Sequence, residues 1–238
     1  MRPVRLDPGA QQSIGVDFVD VRFCLPARLL LLFVMVLSVA CTTTTIDEKR
    51  VGSASVASGD AIVVLGRRHS SDYETEPDFI RCIGRGVAAS GAHVVPEIEF
   101  LNAFYPWFEP RTAPMSLERL DALMQKPKVA ARIRDLKLRY IVWVDGQTET
   151  VDKAGSISCA IGPGGAGCIG FGTWDDASTY EASVWDVRAK ESIAKISAAA
   201  AGTSYMPALI VPVPLIARVQ AAACDGLSTQ LQKLFVTP

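Results

Sequence analysis

The sequence predicts an α/β fold: a single domain on a mixed β-sheet, helices packed mainly on one face, preceded by a signal peptide and a flexible tether. Three observations predict it. Apolar runs of strand length alternate with stripes of helical spacing in the order β-α-β-α-β, followed by hairpins and a last helix. Tyr140-Ile141-Val142-Trp143-Val144 is the strongest β signal and reads as a central strand. An apolar run from Leu29 to Ala40 ends at Cys41, with Arg22 and Arg28 upstream of it.

A basic flank, an apolar stretch of about a dozen residues and small residues before a cut point form the pattern of a secretory signal peptide. A spanning helix needs about 20 apolar residues, and Thr42-Thr43-Thr44-Thr45 is not a basic stop-transfer cluster. Asp7, Asp17 and Asp20 are foreign to a basic n-region, which places the working start downstream of Met1. The division expected is a leader over 1–41, a Thr/Ser/Ala/Gly-rich tether over 42–60 and a domain over 61–238. A flexible tether of that length spans about 24 Å.

Within the domain, Ala61-Ile62-Val63-Val64-Leu65 is apolar throughout, as in a strand buried on both faces. Pro77 opens a helix whose Phe79, Ile80, Ile83 and Val87 form one stripe and which Gly91 ends. Val94 to Phe100 reads as an edge strand because Pro96 has no N–H to give. Ser116 caps a helix that Pro127 interrupts and that continues to Leu136. After the central strand come two strand pairs. Ser156–Cys159 and Cys168–Phe171 are joined by a Gly-rich turn, and Thr179–Val187 and Ser192–Ala198 by Arg188-Ala189-Lys190-Glu191. Tyr205 to Pro214 is extended, covering a sheet edge or facing a neighbour. Pro214 then starts a helix striped by Leu215, Val219, Ala223, Leu227, Leu231 and Phe235.

The 238 residues carry 24 basic and 25 acidic side chains. Without the leader the net charge is about −2, which offers no basic face for nucleic acid. Four cysteines remain after Cys41: Cys82, Cys159, Cys168 and Cys224. In an exported chain they read as two disulfides with three pairings open. Spacing favours Cys159 with Cys168 around the Gly-rich turn, worth roughly 2.7 kcal/mol, and Cys82 with Cys224, worth roughly 5 kcal/mol at most. Free thiols are the rival. No C-x₂₋₄-C pair exists for zinc, so neither metal nor cofactor is expected.

A cysteine directly after Ser38-Val39-Ala40 resembles the bacterial lipoprotein lipobox, although Ser38 stands where Leu is usual. The resemblance implies lipidation at Cys41 and an envelope location; Thr42 at the next position implies the outer membrane, facing the periplasm. The element order over 61–235 resembles the periplasmic α/β domain of curli-secretion and penicillin-binding-protein-activator lipoproteins, and of the Tol β-propeller protein. That implies a membrane-anchored domain binding another envelope protein or itself. The chain departs from the pattern in its Gly-rich cysteine loop and shows no evident pore-forming hairpin.

Other motifs point to weaker alternatives. Gly162-Pro163-Gly164-Gly165-Ala166-Gly167 lacks the Gly-Lys-Ser/Thr and the helix of a phosphate loop. His69, in the polar loop after the first strand, lies where α/β folds bind ligands and would be the centre of a hydrolase; no Gly-x-Ser-x-Gly elbow accompanies it. His93 reads as a strand-start residue. The loop 104–110, with Tyr105, Trp107 and Phe108, is either core packing or a partner or ligand surface. Asp175, Asp176, Glu181 and Asp186 show neither calcium-loop spacing nor an acid pair, so no catalytic residue is assigned.

Overall fold

The computed structural model describes residues 42–67, 75–108, 113–114 and 116–236. Cys41 and His69 lie outside them. Six strands form one mixed sheet: β1 (Thr42–Arg50), β2 (Ala61–Gly66), β3 (His93–Val95), β4 (Leu138–Gly162), β5 (Gly165–Asp186) and β6 (Glu191–Pro212). Five helices accompany them: α1 (Pro77–Ala88), α2 (Glu97–Ala103), α3 (Leu117–Met124), α4 (Pro127–Asp135) and α5 (Val219–Val236). The strand order is β1-β6-β5-β4-β2-β3, with β2, β3 and β4 parallel and the rest antiparallel.

Connection chirality explains where the helices lie. The chain moves outward from β2 through α1 to β3, then back across β2 through α2, α3 and α4 to β4. Both crossovers join parallel strands, and right-handed connections running in opposite directions place their helices on opposite faces. The two longest helices, α1 and α5, cover one face with Phe79, Ile83, Val87, Ala223, Leu227 and Leu231 against Ile62, Val142, Tyr180, Val184 and Ile196. The three short helices shield the other face over β2 and β4, where Phe100, Leu120 and Val129 meet Val63, Leu65, Ile141 and Trp143. Beyond β4 that second face carries Ser183, Glu181, Lys195 and Ser197, with Lys195 paired to Glu181 across the strands at 2.9 Å. Both cores are built from residues after Thr42.

Several expectations are corrected. The tether over 42–60 is not free: Thr42–Arg50 pairs antiparallel with β6 from Gly202 to Ala194. Ile46 packs on the α1–α5 core, and Ser55 exchanges hydrogen bonds with the Tyr140 hydroxyl, giving its N–H at 2.8 Å and accepting at its carbonyl at 3.1 Å. Small polar residues there suit an edge strand as well as a linker. The expected strand Val94–Phe100 stops at Val95; Pro96 has φ −57° and leads directly into α2. The two strand pairs are parts of three continuous strands, since β4 already contains Tyr140–Val144 and Ser156–Cys159. α5 begins at Val219 and not at Pro214, because Leu215 is held by a bridge to Tyr205.

The β5–β6 turn is tied down by Asp186. It accepts from Arg139 at 2.6 Å and from the backbone N–H groups of Arg188 and Ala189 at 2.9 and 2.8 Å. Asp60, also buried, takes Arg188 at 2.5 Å. Asp186→Asn is expected to destabilise the domain by about 2–3 kcal/mol, because it strands a half-buried guanidinium and weakens two backbone bonds. Urea unfolding with an unchanged m-value checks this.

Candidate functional site

The three long strands outrun the helices. Helical cover over β4, β5 and β6 ends near the rung of Thr148, Ser178 and Ala200, and the remainder continues as a three-stranded flap. Its pairing is continuous from Lys153↔Trp174 to Gly162↔Gly165, with β6 alongside to Cys168↔Ile210. Val213 to Leu215 folds back to pair beside Tyr205, covering part of the β6 edge. Pro212 and Pro214 carry no N–H, which blunts that edge further.

The composition of the flap is its unusual property. From Ala154 to Trp174, and again from Ile196 to Ala217, the sequence contains no Asp, Glu, Lys, Arg or His. Yet the flap is exposed: Ile161 is 90%, Leu209 79%, Ile210 73%, Ile169 70% and Val211 65% accessible. Register places these five within the last rungs, since Ile169 faces Leu209 and Cys168 faces Ile210. Nearer the root, the Phe171 and Tyr205 rings lie 6.2 Å apart. On the other face Ile157, Trp174 and Met206 line a shallow groove of about 460 Å³. The root itself is charged and satisfied. Thr203 donates to Asp175 at 2.6 Å and Thr150 to Asp176 at 2.8 Å, beside Asp152 and Lys153.

Where the flap leaves the core, a polar hub closes the boundary. The Tyr180 hydroxyl donates to Glu76 at 2.9 Å and accepts from Thr148 at 2.8 Å; Thr148 in turn accepts from Ser178 at 2.7 Å. Glu76 also takes the Thr148 N–H at 2.8 Å, and Phe79 stacks on the Tyr180 ring at 3.5 Å. Gly146, at φ +146°, passes directly over Tyr180, and a Cβ there would run into the Thr179 carbonyl. Only glycine lets β4 lie this close over its partner.

Both expected disulfides are present. Cys82–Cys224 joins α1 to α5 with Cα atoms 6.4 Å apart, and Cys159–Cys168 bridges directly opposed residues near the flap tip at 4.0 Å. The aromatic loop is divided: Phe108 is buried against Phe100, Phe104 and Trp143, whereas Tyr105 is 69% exposed and Trp107 half-buried. Just past the carboxyl end of β2, where its pairing with β4 stops at Val144, Arg67 pairs with Asp145 at 3.1 Å over a space of about 30 Å³ beside Trp143 and Trp185. That volume admits a water molecule rather than a substrate. Among the described residues no group of His, Cys, Asp and Glu is placed to hold a metal, and no helix is long and apolar enough to cross a membrane. The hairpin of Ser156–Cys159 with Cys168–Phe171 was expected from the sequence; its continuity with the core strands was not, although its charge-free stretches were there to be counted.

No protein-family model and no curated protein matches the chain. Among solved structures it is similar to a point variant of the PelC dodecamer from Paraburkholderia phytofirmans, at 11% identity over 82% of this chain and 99% of that one, with a TM-score of 0.43. It is also similar to the PelC dodecamer of the same organism, at 12% identity over 82% and 100%, with a TM-score of 0.41.

The two disulfides are expected to act on different equilibria. Cys82→Ser with Cys224→Ser removes a link between elements 142 residues apart and lowers global stability by up to about 5 kcal/mol. Cys159→Ser with Cys168→Ser leaves the urea midpoint nearly unchanged and speeds proteolysis at the tip, since the flap opens without the core. A second expectation concerns Tyr180. Burial, reinforced by Glu76, pushes its phenol up to about 12. The folded value lies above the unfolded one near 10, so its contribution is complete below pH 10 and lost as pH rises through 12. Melting temperatures across pH 9–12 should fall less steeply in Tyr180→Phe, from a lower start.

Proposed function

We propose that this chain is a non-catalytic envelope lipoprotein. Cys41 carries the lipid, the domain faces the periplasm from the outer membrane, and its task is to bind another envelope protein or a second copy of itself. Two disulfides, one reaching across the fold, support an oxidising compartment.

The observation that carries the reading is the outer edge of β1. Among the described residues it pairs only with β6, leaving one row of backbone donors and acceptors unmatched over nine residues. Thr42 to Ile46 on this edge has no charge, no proline and no glycine, the features by which edges are normally blunted. An extended segment of a partner would complete the row by strand addition, with Thr43 and Thr45 offering side chains on the uncovered face. With Thr42 paired in the sheet, no free tether separates the domain from Cys41. A partner in the same membrane therefore meets the edge at high local concentration, and modest intrinsic affinity suffices.

Photo-crosslinking in intact cells tests this. A photoreactive residue at Thr45 should give one discrete protein adduct that Thr44→Pro in β1 abolishes, and none should form from the exposed Arg85 on α1. Equal labelling from both positions, or no adduct from the edge, would remove the basis for the proposal.

A further inference from the structure

We propose that the flap is a lipid-binding element, its tip seated in the boundary between headgroups and acyl chains of the membrane that holds the lipidated amino end. This inference rests on the envelope reading above and names what the flap itself meets.

Three independent observations converge on a bilayer surface. The first is the order of chemistry along the flap. Ile161, Ile169, Leu209, Ile210 and Val211 occupy the tip. Phe171 and Tyr205 come next, and Asp152, Lys153, Asp175 and Asp176 mark the root, where Trp174 stands opposite Lys153. Acyl chains, the headgroup zone and water favour these three classes in that order, and amphipathic rings concentrate at the middle level. A protein-binding surface has no reason to sort side chains by height.

The second is the absence of charge on either face. Opposed residues such as Ile157 with Gly170 and Ser158 with Ile169 alternate between the two faces, and neither face carries a side chain that is charged at neutral pH. A flap covering a protein surface would need an apolar side and a polar side; one surrounded by lipid needs two apolar ones.

The third is where the chain outside the domain enters it. Thr42 pairs with Gly202, and β6 runs from Gly202 into the flap. β1 is antiparallel to β6, so its first residue points toward the flap tip. The lipid on Cys41 would thus be attached beside the flap root, and the flap and the acyl chains would enter the same membrane from neighbouring points.

Depth follows from the backbone. Within the flap each strand contributes about nine or ten charge-free residues, near the length that spans a bilayer. However, β4 beyond Val144 has no strand on its outer side among the described residues, and hydrocarbon does not tolerate an unpaired edge. The flap of one chain therefore seats its tip and does not cross. The Gly-rich turn at Pro163-Gly164 and the bridge Cys159–Cys168 keep that tip narrow and closed.

The test uses the soluble chain beginning at Thr42, which contains both cores and both disulfides, so that no acyl group or leader contributes. Mixed with vesicles of phosphatidylethanolamine and phosphatidylglycerol, it should float with the lipid. Leu209→Glu with Ile210→Glu should lower the floated fraction about tenfold, and Arg85→Glu should leave it unchanged. A reporter, Ile161→Trp, should be quenched by brominated acyl chains and gives depth without any charge substitution, should the double variant fold poorly. The proposal is overturned if the soluble chain stays with the aqueous fraction, or if Leu209→Glu with Ile210→Glu floats equally well. It is also overturned if the flap proves buried between copies that the double variant separates in sedimentation. Anchoring is read separately, by the mass of the native amino-terminal peptide. An unmodified Cys41 would end the lipoprotein reading and leave the flotation result standing, and the converse holds.

Discussion

The unbroken pairing of β4, β5 and β6 is the constraint from which the rest of the molecule follows. One set of strands serves as the centre of a helix-covered sheet and as a free-standing flap. The register that opposes Val142 to Val184 in the core also opposes Cys159 to Cys168 near the tip. A one-residue slip would exchange the faces everywhere at once. In the core half, both faces are dry over β4, so its residues are apolar without alternation. In the flap half no helix among the described residues sits on either face, and the side chains there have to suit whatever medium surrounds them.

The change of environment is sharp because the boundary is built from polar groups satisfied by one another. Glu76 closes a chain of hydroxyls from Ser178 through Thr148 to Tyr180, and its second oxygen holds the Thr148 backbone. Each buried oxygen in that chain has a partner, so the core can end without leaving unmatched groups at its rim. Gly146 makes the close crossing possible at this level. The α1–α5 disulfide, by contrast, secures the layer that α5 forms over the sheet.

Much of the fold was legible because burial writes itself into periodicity. The α1 and α5 stripes, the Pro127 break between α3 and α4, both cysteine pairs and the strand Tyr140–Val144 all come from side chains facing a core. The parts that were not legible share one property: their structure is decided by a partner distant in sequence. Thr42–Arg50 carries no strand signal of its own and becomes one only because β6 offers an edge. Glu97–Phe100 alternates like a strand but lies in a helix, since Phe100 and Phe104 stack on each other at 4.3 Å over β2 and β4. That same packing turns most of the aromatic loop into core and leaves Tyr105 outside. The hairpin at the flap tip was read, but its continuity with the core strands escaped because Gly, Ser and Ala between the short apolar runs resemble turns when no pairing is assumed.

Those small residues are also what the flap needs. Large β-branched side chains on both faces of an uncovered three-stranded sheet would associate in water before reaching any membrane. Alternating them with Gly and Ser keeps the strands paired through their backbones while holding the exposed apolar area to the tip and one aromatic rung. Charges would prevent that association more simply, as Asp47 to Arg50 do on β1, but they would also bar the tip from a lipid surface. Solubility before binding and compatibility with acyl chains afterwards are two demands on the same few positions. Small uncharged residues interrupted by single large aliphatics satisfy both, and Ala154 to Gly170 has that composition.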